Sequence, residues 1–464
     1  MPGRPAGAGV PGPRLYRPSL LVAAGTAAFA VAAAIYVGYA LTHPKADWME
    51  PVDLHVYRFG GLIAAHVRPW YNPHRAAPLY DWPGFGNLKF TYTPFASLVF
   101  VTATVLPFTT LANLSLAVNT LALLATIWIA FGAVGWPRSV ANRPGHRLRA
   151  GGTLLVGAVM FWSEPVQRTL FLGQIELILM ALIMWDLCQS DRRWWKGAGV
   201  GVAAGIKLVP LIFIPYLLAT RRYRQAAVAA GAFAATIAIG FAAEPADSAR
   251  WWFGGVFARG SRTGFVAWEG NQSLRGLVAR FGGSVAGSQL AWLAVAALVV
   301  AAGLAAAVLL DRAGHALAGI LTCALTGILA SPISWDHHWV WVVPAVVLAI
   351  GYAVRAPGRL RWAYAGLGAV IAGVFFCWPG SLWGEPNDLG GFSLGLIWAP
   401  PNTDPGTYYQ LGDRPWFAEY HWHGLQLLTG NSYVLAGLGL LVLAAGSAAL
   451  TVASRTRQRP VTQR

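Results

Sequence analysis

"SLLVAAGTAAFAVAAAIYVGYALT", residues 19–42, holds no charged side chain, and "PVDLHVYRFGG", residues 51–61, then sets Asp53, His55, Tyr57 and Arg58 within six positions. A helix needs about 20 apolar residues to cross a bilayer. The run is too long for a signal-peptide core and no small-residue cleavage site follows cleanly, so it reads as a transmembrane helix. Runs of this kind recur along the chain. Of its 464 residues 56% are hydrophobic and 11% charged, whereas soluble domains carry about a quarter charged. The chain is therefore expected to be an all-α polytopic integral membrane protein.

The net charge of +16 could suggest a nucleic-acid partner, but its distribution argues otherwise. The basic clusters are the N-terminal tail, "RPGHRLR", "DRRWWK", "RRYR", "RAPGRLR" and "SRTRQR". The segments assigned to the cytoplasm hold 21 of the 34 Lys and Arg, against three acids, Asp186, Asp191 and Asp311, of 18. This is the positive-inside signature, and no nucleic-acid-binding motif accompanies it. It predicts both termini in the cytoplasm and about twelve membrane segments, four of them too short to span alone. Residues 198–219, interrupted by Lys207 and Pro210, read as a broken hairpin. The apolar stretch 93–108 reads as an interfacial helix in the outer leaflet. The expected organisation is a disordered basic tail over 1–18, one transmembrane domain over 19–454 and a basic tail over 455–464. Within the domain, 43–111 and 380–428 are extracytoplasmic loops. Cys188, Cys323 and Cys377 lie in or beside apolar runs without CxxC spacing and read as small core hydrophobes.

Five polar constellations fall on the expected outer side. Asp53 in "VDLHVY" could serve as a general base or merely cap a helix, and taken alone the cap is the better reading. In "WSEPVQRTLFLGQIELILM", residues 162–180, Glu164, Arg168, Gln174 and Glu176 sit where two short helices meet. An acid such as Glu176 at membrane depth is costly and points to function, though a first-turn acid favoured by the helix dipole accounts for it equally. Lys207 in "AAGIKLVPLIF" is a lone cation in an apolar run and needs a counter-charge or a wet cavity; the alternative is snorkelling to an interface. "WEGNQSLRGL", residues 268–277, offers Asn271 and Gln272 for sugar hydroxyls and Arg275 for phosphate, or is an ordinary polar helix start. "SPISWDHHWVW", residues 331–341, carries Asp336, His337 and His338 among tryptophans. Adjacent histidines point to different faces, so HH alone is not a zinc spacing, and an interfacial polar turn is the plain reading. Outer-face Trp and Tyr are mostly belt residues, a few of which could stack on sugars. No internal repeat is visible, which counts against a secondary transporter.

Taken together and in this order, "VDLHVY", "FTYTPF", "EPVQRTLFLGQIELILM", "GVAAGIKLVP", "NQSLRG" and "SPISWDHHWVW" resemble the actinobacterial polyprenyl-phosphate-mannose-dependent α-1,2-mannosyltransferases. These are GT-C membrane enzymes of phosphatidylinositol mannoside and lipomannan/lipoarabinomannan synthesis. The resemblance covers about Asp53 to Trp341. It implies a GT-C fold in the plasma membrane with an extracytoplasmic site, Asp53 as the catalytic base, and His337 or His338 lining that site. Tyr57, Lys89, Tyr92, Glu164, Arg168, Gln174, Glu176, Lys207, Asn271, Gln272, Arg275 and Asp336 are the expected substrate contacts. Two motifs depart from the family pattern: "GQIEL" places Glu176 where some members have an amide, and "TYTPF" replaces a Y-P-P motif. Both departures bear on the acceptor.

What the resemblance implies chemically is transfer from a β-linked mannosyl phosphate to an α-mannoside, an inversion. Phosphate leaves as a stable anion, so cations or hydrogen-bond donors are wanted rather than a strong acid. Lys207, Arg168 and Arg275 are the candidates, with a histidine. There is no DxD motif and no GxGxxG after a plausible strand, so neither a metal nor a nucleotide-sugar cofactor is expected. The partners are the polyprenyl-phosphate-mannose donor, a mannosylated lipid or lipoglycan acceptor and membrane lipid, with no nucleic acid. The alternatives are a GT-C transferase for another lipid-linked sugar such as arabinofuranose, or a lipid or polysaccharide transporter.

Overall fold

The computed structural model describes residues 17–42, 51–65, 79–81, 88–137, 143–259, 262–378 and 395–457. Residues 1–16 of the expected N-terminal tail, parts of the first loop, the start of the 380–428 loop and 458–464 lie outside them. The described chain is helical. In order come α1 (Pro18–Thr42), α2 (Val52–Ala64), α3 (Pro94–Phe100), α4 (Phe108–Ala133), α5 (Arg143–Met160), α6 (Glu164–Leu172) and α7 (Glu176–Leu187). Then follow α8 (Ala198–Ile206), α9 (Phe213–Ala219), α10 (Tyr223–Ala243), α11 (Pro245–Trp252), α12 (Leu274–Gly282) and α13 (Gln289–Arg312). The chain closes with α14 (Ala316–Ala330), α15 (Val342–Arg355), α16 (Leu360–Val374), α17 (Pro405–Leu411), α18 (Leu425–Thr429) and α19 (Ser432–Arg457).

Six helices among the described residues are long and apolar enough to cross a membrane: α1, α4, α10, α13, the Asp336–Arg355 run that ends in α15, and α19. The bent pair α6–α7, at 117°, makes up to seven. Three of the other stretches read as membrane segments from hydropathy are shorter apolar helices: α14, α16 and the Val209–Ala219 piece. The stretch expected to be one interfacial helix over 93–108 is α3 followed by a 3-10 turn, Val101–Thr104.

The breaks have local causes. Gly173 ends α6 with φ +67°, a left-handed conformation that glycine takes without strain. A Cβ there would also press to 2.8 Å from Leu54 of α2. After it, Gln174 and Ile175 turn the chain into α7. α8 stops where Lys207 becomes extended (φ −136°, ψ 129°), and Pro210 follows in a 3-10 turn before α9. Proline cannot donate to the preceding turn, which keeps the two helices apart. α3 starts on Thr93, whose hydroxyl accepts from the Ala96 N–H at 3.2 Å, with Pro94 in the first turn. α2 and α3 touch backbone to backbone: a Cβ on Gly61 would lie 2.2 Å from the Phe100 carbonyl oxygen.

Polar contacts gather at two ends. At one, the basic loops meet. Arg222 Nη2 pairs with Asp311 at 3.0 Å, Lys196 with Asp191 at 2.8 Å, and Arg312 donates to the Ala219 carbonyl at 2.6 Å. Asp186 caps α8, accepting from Gly197 and Val200 N–H. At the other end lie α2, α3, the α6–α7 break, α11, α12 and residues 331–341. α10 connects the two, and its 21 residues extend about 30 Å.

Candidate active site

A cavity of about 590 Å³ opens at the second end. Asp53, Lys89, Tyr92, Arg168, Gln174, Lys207, Asp336, His337 and His338 all line it, from segments that are far apart in sequence. Trp251, Trp268, Trp335, Phe257, Phe265 and Tyr408 supply aromatic wall.

The floor is organised around Gln174. Its Nε2 donates to Asp53 Oδ2 at 2.7 Å, and its Oε1 accepts from the hydroxyls of Tyr57 and, at 3.3 Å, Tyr92. The two hydroxyls lie 2.8 Å apart, and Asn119 of α4 holds the Gln174 carbonyl at 3.0 Å. The amide is thus oriented with its nitrogen towards the carboxylate. Burial raises the Asp53 carboxyl above its usual range, while His337, the Gln174 amide, Lys207 and Arg168 act in the opposite direction. Burial also raises the Tyr57 and Tyr92 phenols, so both remain hydrogen-bond donors at neutral pH.

The second group is Lys207, Glu176 and His338. Lys207 Nζ bonds Glu176 Oε1 and lies 2.8 Å from His338 Nε2, and it sits 5.7 Å from the Tyr92 ring. Glu176 faces a small adjoining pocket of about 60 Å³ that Lys207 and His338 share. Glu176, His337 and His338 offer ligand atoms within 4.8 Å of one another, a spacing that could take a divalent cation. The ammonium bonded to two of the three already puts positive charge there. The third group is Asp336, which pairs with Arg168 Nε at 3.3 Å and with His337 Nδ1 at 3.0 Å. His337 Nε2 has no hydrogen-bond partner among the described residues.

Six expected contacts are not among the residues that line the cavity: Tyr57 and Glu176 stand behind Gln174 and Lys207, to which they bond, and four others are held elsewhere. Glu164 is buried, accepting from Trp398 Nε1 at 2.9 Å and the Tyr433 hydroxyl at 2.8 Å. Asn271 clamps two loops, giving Nδ2 to the Val266 carbonyl and taking the Ser334 N–H on Oδ1. Gln272 bonds the Glu269 and Gly430 carbonyls. Arg275 stacks 5.0 Å from Trp292 and donates to Gln289. Near Asp53, His55 stacks on Phe108 with ring centroids 3.6 Å apart, and Arg58 lies 5.9 Å from the same ring. Both serve local packing. Asn119, Arg259 and Arg262 were not singled out by sequence. Asn119 is a lone amide inside an apolar span, a signal of the kind that marked Lys207. The arginines sit in an aperiodic loop.

The model of glycosyltransferase family 87 matches residues 90–332, just over half of the chain, taking in Tyr92, Arg168, Gln174 and Lys207. The chain is 34% identical over 391 residues to a polyprenol-phosphate-mannose-dependent alpha-(1-2)-phosphatidylinositol pentamannoside mannosyltransferase of Mycobacterium tuberculosis, covering 84% of this chain and 80% of the relative. It is 31% identical over 389 residues to the protein of the same description from Mycolicibacterium smegmatis, covering 84% of each. A phosphatidylinositol mannoside mannosyltransferase of M. tuberculosis is 29% identical over 421 residues, 89% of this chain and 88% of that protein. No solved structure matches. With the family model matched over just over half of the chain and relatives aligned along most of their length, the chain belongs to glycosyltransferase family 87.

Proposed function

We propose that this protein is an inverting membrane mannosyltransferase. It transfers mannose from polyprenyl-phosphate-mannose to a hydroxyl of a phosphatidylinositol mannoside or related lipoglycan, making an α-1,2 linkage. The observation that carries the reading is the cavity floor: a carboxylate held by an oriented amide, with Lys207 and Arg168 lining the same cavity. The relatives' donor and acceptor supply the substrate classes.

In the reaction Asp53 takes the proton of the acceptor hydroxyl as that oxygen bonds to the anomeric carbon. The bond from that carbon to the donor phosphate oxygen breaks on the opposite face, and the polyprenyl phosphate departs with the electron pair. Lys207 and Arg168 stabilise its growing charge, and His337 Nε2 offers a further contact. Arg275, bound to Gln289 and stacked on Trp292, has no part in this. Lys207 provides positive charge at the place where a metal would otherwise do so, so the step runs on protein groups and needs no cofactor. The aromatic wall stacks on sugar faces.

The reading includes a GT-C fold of about twelve membrane segments, counting short and broken helices. Both termini lie in the cytoplasm and the cavity opens on the outer face of the plasma membrane. The clustering of basic loops at the end opposite the cavity supports this orientation. The experiment is transfer of labelled mannose from purified polyprenyl-phosphate-mannose by wild type and Asp53→Asn. The variant should lose about a thousandfold in rate with an unchanged unfolding midpoint. Retained transfer removes Asp53 as the base. Wild-type transfer from a polyprenyl-phosphate-arabinofuranose donor, and none from the mannose donor, overturns the assignment.

A further inference from the structure

The cavity carries two sets of cations that differ in how they are countered. On the inner set, Lys207 is bonded to Glu176 and Arg168 is paired with Asp336. The second set is Lys89, Arg259 and Arg262, which line the same cavity. None of these three makes an ion pair among the described residues, where the nearby Asp81 is bridged to Arg250. Arg262 is built into the wall. Its Nη2 donates to the Tyr80 carbonyl at 2.8 Å and towards that of Phe90 at 3.4 Å, and its guanidinium lies 5.8 Å from the Tyr80 ring. Its Nε is buried without a hydrogen-bond partner among the described residues. Lys89 and Arg259 are exposed, which puts them at the rim rather than on the floor. Arg259 lies three residues before Arg262, whose Nη2 reaches the carbonyl of Phe90 next to Lys89, so the cations share one side of the mouth.

Three positive charges without a direct ion pair among the described residues, around an apolar-walled opening, make a field that draws in and orients an anion. We propose that Lys89, Arg259 and Arg262 form an anion subsite for the phosphodiester that anchors the acceptor. The inference rests on the mannosyl-transfer reading and deepens it. Two phosphates meet at such a site. The donor's carries the oxygen of the anomeric bond that breaks and must lie across the anomeric carbon from the hydroxyl that Asp53 deprotonates, within reach of the inner cations. The acceptor's belongs to a lipid anchor, separated from the reacting hydroxyl by intervening sugars. A cationic rim away from the floor fits the second. Arg262, with its position fixed in advance by two carbonyls, would give this phosphodiester charge-assisted hydrogen bonds, while the exposed Lys89 and Arg259 add attraction that salt weakens.

The test compares two acceptors in neutral detergent, which keeps bulk phospholipid away: a phosphatidylinositol mannoside and uncharged octyl α-mannoside. The quantity read is the ratio of kcat/KM for the charged acceptor to that for the neutral one. Arg259→Gln should lower this ratio about threefold and Arg259→Gln/Arg262→Gln about tenfold, with the KM for polyprenyl-phosphate-mannose unchanged. In wild type the ratio should fall as salt rises. Arg259→Gln alters an exposed side chain, so it remains informative if the double variant folds poorly. A ratio that stays constant in Arg259→Gln and under salt overturns the proposal. So does a rise in donor KM, which would give these cations to the donor phosphate, or an equal loss with both acceptors. Wild-type transfer to octyl α-mannoside checks mannosyl transfer itself, so a constant ratio with that transfer intact counts against the rim alone.

Discussion

Two groups of buried charged and amide side chains occupy the same end of this molecule, and they are used differently. One is the cavity floor, Asp53 with Gln174, and Lys207 with Glu176 and His338. The other is a knot around Arg280 of α12. Arg280 donates to Asn431 at 2.8 Å and to the carbonyls of Ala267, Trp268 and Asn271 at 3.1–3.3 Å. Glu269 accepts from Asn402, and Glu419 from Tyr408 and Thr403. The knot holds three charged groups as deeply buried as those of the floor, yet Glu269, Arg280 and Glu419 do not line the cavity. Its donors end on backbone carbonyls, on Asn431 and on the two glutamates, and close the 265–280 loop onto 395–431. On the floor, Asp53, Lys207 and His338 keep a face on open space. Buried charge alone therefore does not mark chemistry here; buried charge with a face on the cavity does.

The comparison predicts opposite outcomes for substitutions of similar severity. In the knot, Arg280→Met leaves Glu269 and Glu419 buried without their cation. Removing one partner from a buried charge network costs about 3–5 kcal/mol of stability, read as a lower unfolding midpoint of the purified protein. Transfer per folded molecule should change little. Burial holds both carboxyls above their usual range and lowers Arg280 to about 10. Groups with raised folded values bind protons more readily folded than unfolded, so they favour folding as pH falls. The deficit of the variant should accordingly shrink towards acid pH, where the two glutamates become neutral. A variant that unfolds normally but no longer transfers mannose would break the comparison from the knot side.

On the floor, Lys207→Met/Glu176→Gln removes both charges of the pair and leaves neither uncompensated. The unfolding midpoint should stay near wild type. The rate should fall about a hundredfold, equivalent to about 2.7 kcal/mol of transition-state stabilisation, if Lys207 meets the leaving phosphate. A steady-state assay at saturating donor separates this from weaker binding, since loss of ground-state attraction alone would raise KM and spare kcat. A double variant of wild-type kcat would move Lys207 into the structural class with Arg280.

Which class a residue belongs to was only partly legible in the sequence. Lys207 and Asp53 stood out because an ionisable group within or just after an apolar run must have a partner or a cavity. The "DHH" run stood out in the same way. "WEGNQSLRGL" was equally polar, but its amides bond carbonyls of loops far away in sequence and its Arg275 donates to Gln289, and nothing in the local pattern encodes that. Asn119 hid for the converse reason, since one amide among apolar neighbours does not change the reading of α4 as a span. The breaks at Gly173 and Lys207 follow from residue types, one needing a left-handed turn and the other preceding a proline. Span count did not follow, because a 9-residue α8 and a 7-residue α9 give the same hydropathy whether or not they cross together.

The subtlest expected effect sharpens the comparison through pH. A base acts in its charged form, so transfer rises with pH through the value of the Asp53 carboxyl, which burial holds above the ordinary carboxylate range. The Gln174 amide, donating at 2.7 Å, favours the charged form and holds that value down. Gln174→Ala removes the donation and should move the acid limb of kcat/KM up by about one pH unit. On the limb the variant is then up to about tenfold slower, and the deficit narrows on the alkaline plateau. Gln272→Ala deletes an equally buried amide from the knot, where it serves the Glu269 and Gly430 carbonyls. It should lower the unfolding midpoint and leave the limb where it is. If both amides move the limb alike, or neither does, the titrating group is not Asp53, and the division between floor and knot loses its chemical meaning.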